Sequence, residues 1–106
     1  MPDLILILTT MPDDSRAEDL ARALVDEHLA ACVSVHAPMV SIYRWQNAVE
    51  RESERQMVIK TTRDRVHAIQ TRLVQLHPYE LPEFLVVSAD GSDAYGGWII
   101  DAVRPQ

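Results

Sequence analysis

The chain has 106 residues, 47% of them hydrophobic and 25% charged, with a formal net charge of −6. That length supports one hydrophobic core but not two, and the composition is that of a folded globular domain, so a single domain over 1–106 is expected. The acidic balance excludes a general attraction to nucleic acid or to anionic membranes, and the one cysteine, Cys32, excludes an internal disulfide framework.

Leu4 to Leu8 is continuously apolar, as a strand buried on both faces is. The run is too short for a signal or membrane segment and has no basic flank, which points to a cytoplasmic protein. Met11-Pro12-Asp13-Asp14-Ser15 ends it and supplies helix-capping side chains. Ala17, Leu20, Ala21, Leu24 and His28 then recur at helical spacing, predicting an amphipathic helix of about four turns. Ala30 to Trp45 is a second extended region, interrupted at Pro38, which lacks a ladder donor and belongs at an edge or bulge. Gln46-Asn47-Ala48 is a turn, and the alternation from Glu54 to Thr61 is a third strand. Val66, Ile69, Leu73 and Leu76 form the stripe of a second helix, which His77-Pro78 stops. Phe84 to Val87 is a fourth strand, and Tyr95 to Ala102 a short terminal helix.

The order β-α-β-β-α-β plus a helix is the ferredoxin-like α+β arrangement, an antiparallel sheet with helices on one face. Its hairpin between the second and third strands is too long for such a domain. Roughly fourteen residues at about 3.3 Å each reach about 46 Å, whereas a helix of about sixteen residues covers about 24 Å. Apolar residues in the overhang, Ile42, Tyr43, Trp45, Val49 and Met57, need cover from another chain. An obligate oligomer follows from that mismatch alone.

Five strings, in this order and spacing, resemble the CutA family of divalent-cation tolerance proteins. They are Leu29-Ala30-Ala31-Cys32-Val33, Ser41-Ile42-Tyr43-Arg44-Trp45, Glu54 with Met57 to Thr62, His77-Pro78-Tyr79-Glu80-Leu81-Pro82-Glu83, and Tyr95 to Trp98. The resemblance implies a ferredoxin-like homotrimer with hairpins paired between subunits, similar to the PII signalling proteins that bind small ligands in subunit clefts. It also implies a link to copper and other divalent cations. Family members assigned a copper site use a thiol near the end of the first strand and two adjacent histidines before a Pro-Tyr pair. The matching positions here are Thr9, Leu76 and His77, so one strong ligand of three is present.

Candidate metal-contact residues are therefore His77, with Cys32, Glu80 and Glu83 behind it. An imidazole or a thiol suits copper or zinc. Cys32 between Ala31 and Val33 reads more readily as a small buried strand residue, and His77 as a helix C-terminal cation. Cu(II) or another divalent cation is expected to bind weakly, because a tight site needs three or four converging ligands. Tyr43, Trp45, Glu54, Lys60, Tyr79 and Trp98 are the candidates for a subunit interface or cleft. The chain shows no nucleophile–base set such as G-x-S-x-G, so it is not read as an enzyme. Three readings stand: a trimeric metal-associated protein, a PII-like sensor of a small metabolite, and a scaffold for a protein partner.

Overall fold

A computed structural model describes residues 4–104; the ends of the expected 1–106 domain lie outside them. Nine elements follow one another: β1 (Leu4–Pro12), α1 (Arg16–Asp26), β2 (Cys32–Val35), β3 (Met39–Trp45), β4 (Ala48–Thr62), a 3-10 turn (Arg63–Arg65), α2 (Val66–Leu76), β5 (Leu85–Ala89) and α3 (Asp93–Ala102). The sheet runs β2-β4-β1-β5, with β3 also paired to β4. All pairings are antiparallel. The fold is α+β, as the order of apolar runs predicts.

The second predicted strand is two strands. His36-Ala37-Pro38 interrupts it, and the two pieces, β2 and β3, sit in succession along one edge of β4. Pro38 cannot donate to β4, so the ladder breaks there and resumes at Met39. The first helix is also shorter than its stripe suggests, at 11 residues. His28 takes φ 59°, in the left-handed region that ends helices, and the amides of Leu29 and Ala30 turn back to the Leu24 carbonyl. A ring nitrogen of His28 lies 3.2 Å from the Ala102 carbonyl, tying the end of α1 to the end of α3.

Asp14 accepts from the Arg16 amide at the start of α1, and Ser92 accepts from the Tyr95 amide at the start of α3. Ile5, Ile7, Met11, Met57 and Ile59 pack with Leu20, Leu24, Ile69 and Leu73 from α1 and α2, forming the main core. Leu4 points the other way, by strand alternation, and joins Ala31, Ile99 and Val103 in a smaller cluster under α3. Helices α1 and α2 thus cover one face of the sheet, and α3 covers only part of the other.

The overhang is present. β4 has 15 residues against 11 in each long helix, and the molecule measures 44 × 24 × 24 Å. Gln46 and Asn47 both take positive φ, the geometry of a two-residue type I′ hairpin turn. Val40, Ile42, Tyr43 and Val49 are exposed along the hairpin, and Leu85, Val86 and Val87 along β5. β3, β5 and the 48–53 part of β4 each have one edge without a partner strand among the described residues. Met57, expected in the overhang, is instead fully buried in the main core, because its stretch of β4 lies between β1 and β2.

Candidate functional site

Two neighbouring positions of β4 organise the site. Glu54 and Gln56 lie on one face of the strand, two residues apart. The loop from His77 to Phe84 crosses beside them on its way from α2 to β5. The loop is stiffened by Pro78 and Pro82.

Tyr79 donates its hydroxyl to Glu54 Oε2 at 2.7 Å, and its amide to His77 Nδ1 at 3.1 Å. His77 Nε2 lies 2.6 Å from the Thr10 carbonyl at the end of β1. An acceptor role at Nδ1 and a carbonyl at Nε2 together require the neutral ring protonated on Nε2. Gln56 completes the cluster, donating to the Thr9 carbonyl and to Glu83 Oε2, both at 2.8 Å. His77 is 8% exposed and Glu54 only 6%. A buried carboxylate is stable only with donors on it, and Tyr79 supplies one.

Electrostatics follow burial. Desolvation holds the His77 imidazole below its ordinary value of 6.5, against the opposing pull of the Thr10 carbonyl and Glu54. Burial pushes the Tyr79 phenol well above the usual tyrosine range, and the bond to Glu54 adds to the rise. Tyr79 therefore remains a donor throughout the neutral range. Tyr43 is raised as well, by desolvation first and then by Glu52, Glu54 and Glu50.

The depressed His77 value makes a testable link between pH and stability. The unfolded chain takes up a proton near 6.5 while the folded chain stays neutral, so stability is full above 6.5 and falls with pH until the folded ring also protonates. The slope in that window is at most about 1.4 kcal/mol per pH unit. Urea unfolding at pH 7.5, 6.5 and 5.5 should show this loss in the wild type and a flatter profile in His77→Gln. Parallel profiles would place the acid sensitivity elsewhere.

The remaining predicted site residues do not converge on this cluster. Cys32 is half-exposed on β2, opposite Lys60, six β4 residues from Glu54, about 20 Å at strand rise. Lys60 donates to the Tyr95 hydroxyl at 3.2 Å and lies 5.6 Å from its ring centre. Trp98 stacks at a tilt on Tyr95 at 5.4 Å. Trp45 is half-buried at the hairpin end, and Tyr43 and Glu80 are exposed. Thr9, at the position where the family resemblance expects a thiol, is fully buried, and its hydroxyl makes no hydrogen bond among the described residues. Among the described residues no three His, Cys, Asp or Glu side chains gather as metal ligands would. Gln56 and Tyr95 were missed by reading motifs, although the even spacing Glu54, Gln56, Lys60 marks one strand face.

A family model described as CutA1 divalent ion tolerance protein matches residues 5–102. The chain belongs to the CutA1 family. The divalent-cation tolerance protein CutA of Pectobacterium atrosepticum is 41% identical over 103 residues, covering 96% of this chain and 94% of that one. CutA from Xylella fastidiosa superposes with a TM-score of 0.92 at 45% identity, covering 96% and 99% of the two chains. CutA from Synechococcus elongatus gives 0.91 at 45% identity, over 98% and 93%. The CutA1 family is named for divalent-ion tolerance and not for a reaction. No helix among the described residues of this CutA1 member is long and apolar enough to cross a membrane.

Proposed function

We propose that this chain acts without catalysis, as a cytoplasmic homotrimer that takes up divalent copper weakly at the loop carrying His77. The observation that carries this reading is the scarcity of ligands at that loop, since among the described residues no three His, Cys, Asp or Glu side chains gather there. His77 Nδ1, with Glu83 and Glu80 farther along the same loop, is the donor set that would hold the ion, and both His77 nitrogens already have partners. Glu83 is engaged by Gln56. Copper heads the divalent affinity order, so an imidazole with carboxylates suffices to take it up, but without a third strong donor only weakly. The bound ion would supply a Lewis-acidic charge.

The trimer is supported by the apolar residues left open on the hairpin and β5. Exposed apolar strands with bare edges require cover. A PII-like sensor of a small metabolite is the second reading, favoured by the exposed Tyr95–Trp98 pair beside Lys60, an arrangement of ring faces and a cation suited to a subunit cleft. Native mass spectrometry of protein purified from its own cells tests both, since a retained metabolite at fixed stoichiometry would favour the sensor.

Calorimetric titration with Cu(II) at pH 7.5 should give binding weaker than micromolar in the wild type and none above background in His77→Ala. Nanomolar affinity that survives His77→Ala would move the site to Cys32 or the terminal amine and overturn the assignment.

A further inference from the structure

The hairpin beyond the helices has two faces, and its charges are sorted between them by sign. Side chains alternate between the faces of a strand, and residues directly paired across two strands share a face. Ile42 pairs with Arg51 and Arg44 with Val49, so these four and Val40 lie on one face. Tyr43 pairs with Glu50 and Trp45 with Ala48, which puts Glu50, Glu52 and Glu54 on the other face with both aromatic rings. The first face continues that of Met57 and Ile59, which α1 and α2 cover farther along β4. Past the helices it is bare. Val40, Ile42 and Val49 are exposed there, and its positions from 40 to 53 carry two arginines and no acidic residue. The second face carries three glutamates and no basic residue from 39 to 54. Among the described residues no ion pair takes up Arg44, Arg51, Glu50 or Glu52.

We propose that the basic, apolar face of the hairpin docks on the acidic, aromatic face of the hairpin of a second copy of this chain. This rests on the reading above that the chain is a homotrimer, and it fixes how the copies are oriented. A contact between like faces sets Arg against Arg or Glu against Glu, and like charges across an interface reject a partner. A contact between unlike faces pairs opposite charges, and it lays Val40, Ile42 and Val49 on Tyr43 and Trp45. Such a contact is head-to-tail. A row of copies joined this way keeps one bare face at each end, and only a closed ring covers them all. A two-fold contact through either face would set that face against itself, so the sorted charges select the ring. Their role is orientation and choice of partner, with the apolar side chains supplying the burial.

The experiment is light scattering and native mass spectrometry of the full chain at micromolar concentration. It compares wild type, Arg44→Glu/Arg51→Glu, Glu50→Arg/Glu52→Arg and the variant carrying all four changes. Each two-site variant should lose the trimer, with dissociation about a hundredfold easier or more. In Glu50→Arg/Glu52→Arg that loss comes although the net charge is smaller than the wild-type −6, where general repulsion between acidic subunits predicts tighter assembly. The four-site variant should form a trimer again, because every contact once more joins opposite charges. Refolded together with isotope-labelled wild type, it should give no mixed trimers, since any mixed ring contains two junctions of like charge. A four-site variant that stays dissociated, or that mixes freely with wild type, overturns the proposal. Two-site variants that remain trimers also overturn it and leave the trimer reading standing. Wild type at the single-subunit mass overturns the trimer reading itself. A two-site variant that fails to fold is covered by the four-site one, because exchanging charges between faces repairs a contact between copies and repairs nothing within one subunit.

Discussion

Ile42→Asp is expected to leave the subunit fold intact and abolish the assembly. Ile42 is 70% exposed in the single chain, on the overhanging hairpin opposite Arg51. At such a site a substitution changes subunit stability by no more than about 0.5 kcal/mol. In the proposed trimer the same position is covered, and a covered carboxylate without a partner costs several kcal/mol, so a loss of about 2 kcal/mol or more per interface is expected. Symmetry repeats that loss at every equivalent contact. Light scattering at micromolar concentration should report three times the 12.0 kDa subunit mass for wild type and a single subunit for the variant. Circular dichroism should remain that of a folded α+β protein. The wild-type melting temperature should rise with protein concentration, and that of the variant should not. A wild type that scatters as a monomer would sink the trimer, and a variant with wild-type mass would show that this part of the hairpin faces solvent.

The second large effect belongs to Tyr79→Phe. The substitution removes one oxygen and leaves the ring, so its cost isolates the bond to Glu54. That carboxylate is 6% exposed and loses its phenol donor. A hydrogen bond to a charged group contributes about 1.5–3 kcal/mol. Urea unfolding at fixed protein concentration should show a lower midpoint with an unchanged slope. The pair Tyr79→Phe and Glu54→Ala, taken singly and together, completes a double-mutant cycle whose coupling should be of the same sign and most of the same size. A coupling near zero would show that Glu54 is satisfied by solvent and that the 2.7 Å bond contributes nothing net.

Much of the fold was legible because its signals are local. Alternation and stripe spacing depend on neighbours in sequence, and they place β1, α2 and β5 within a few residues of their observed bounds and find the 54–61 part of β4, which in fact begins six residues earlier at Ala48. The His77-Pro78 stop of α2 is visible for the same reason. The overlong hairpin could be computed from strand and helix rise alone. What the residues did not disclose depends on contacts distant in sequence. The left-handed turn at His28 that shortens α1 is held by the Ala102 carbonyl, 74 residues away. The state of His77 is set by Thr10, 67 residues away, and no spacing rule says that a lone histidine will find both ring nitrogens engaged. The separation of Cys32 from His77 likewise follows from strand register, which pairs Cys32 with Lys60.

The sheet order also governs how this chain is made. β1 leaves the ribosome before β4 and β5, and the segments it pairs with, Glu54 to Thr62 of β4 and Leu85 to Ala89 of β5, come from the second half of the chain. Leu8 pairs with Val58 and Leu85, Leu4 with Thr62 and Ala89. At about 5–20 residues per second, Leu8 waits roughly 3–10 s for its nearer neighbour and longer for the second. During that interval the most apolar segment of the protein has only an 11-residue helix beside it, too short to be stable alone. Nascent chains of this protein therefore leave Leu4 to Leu8 without its sheet neighbours until the segments that pair with it have emerged.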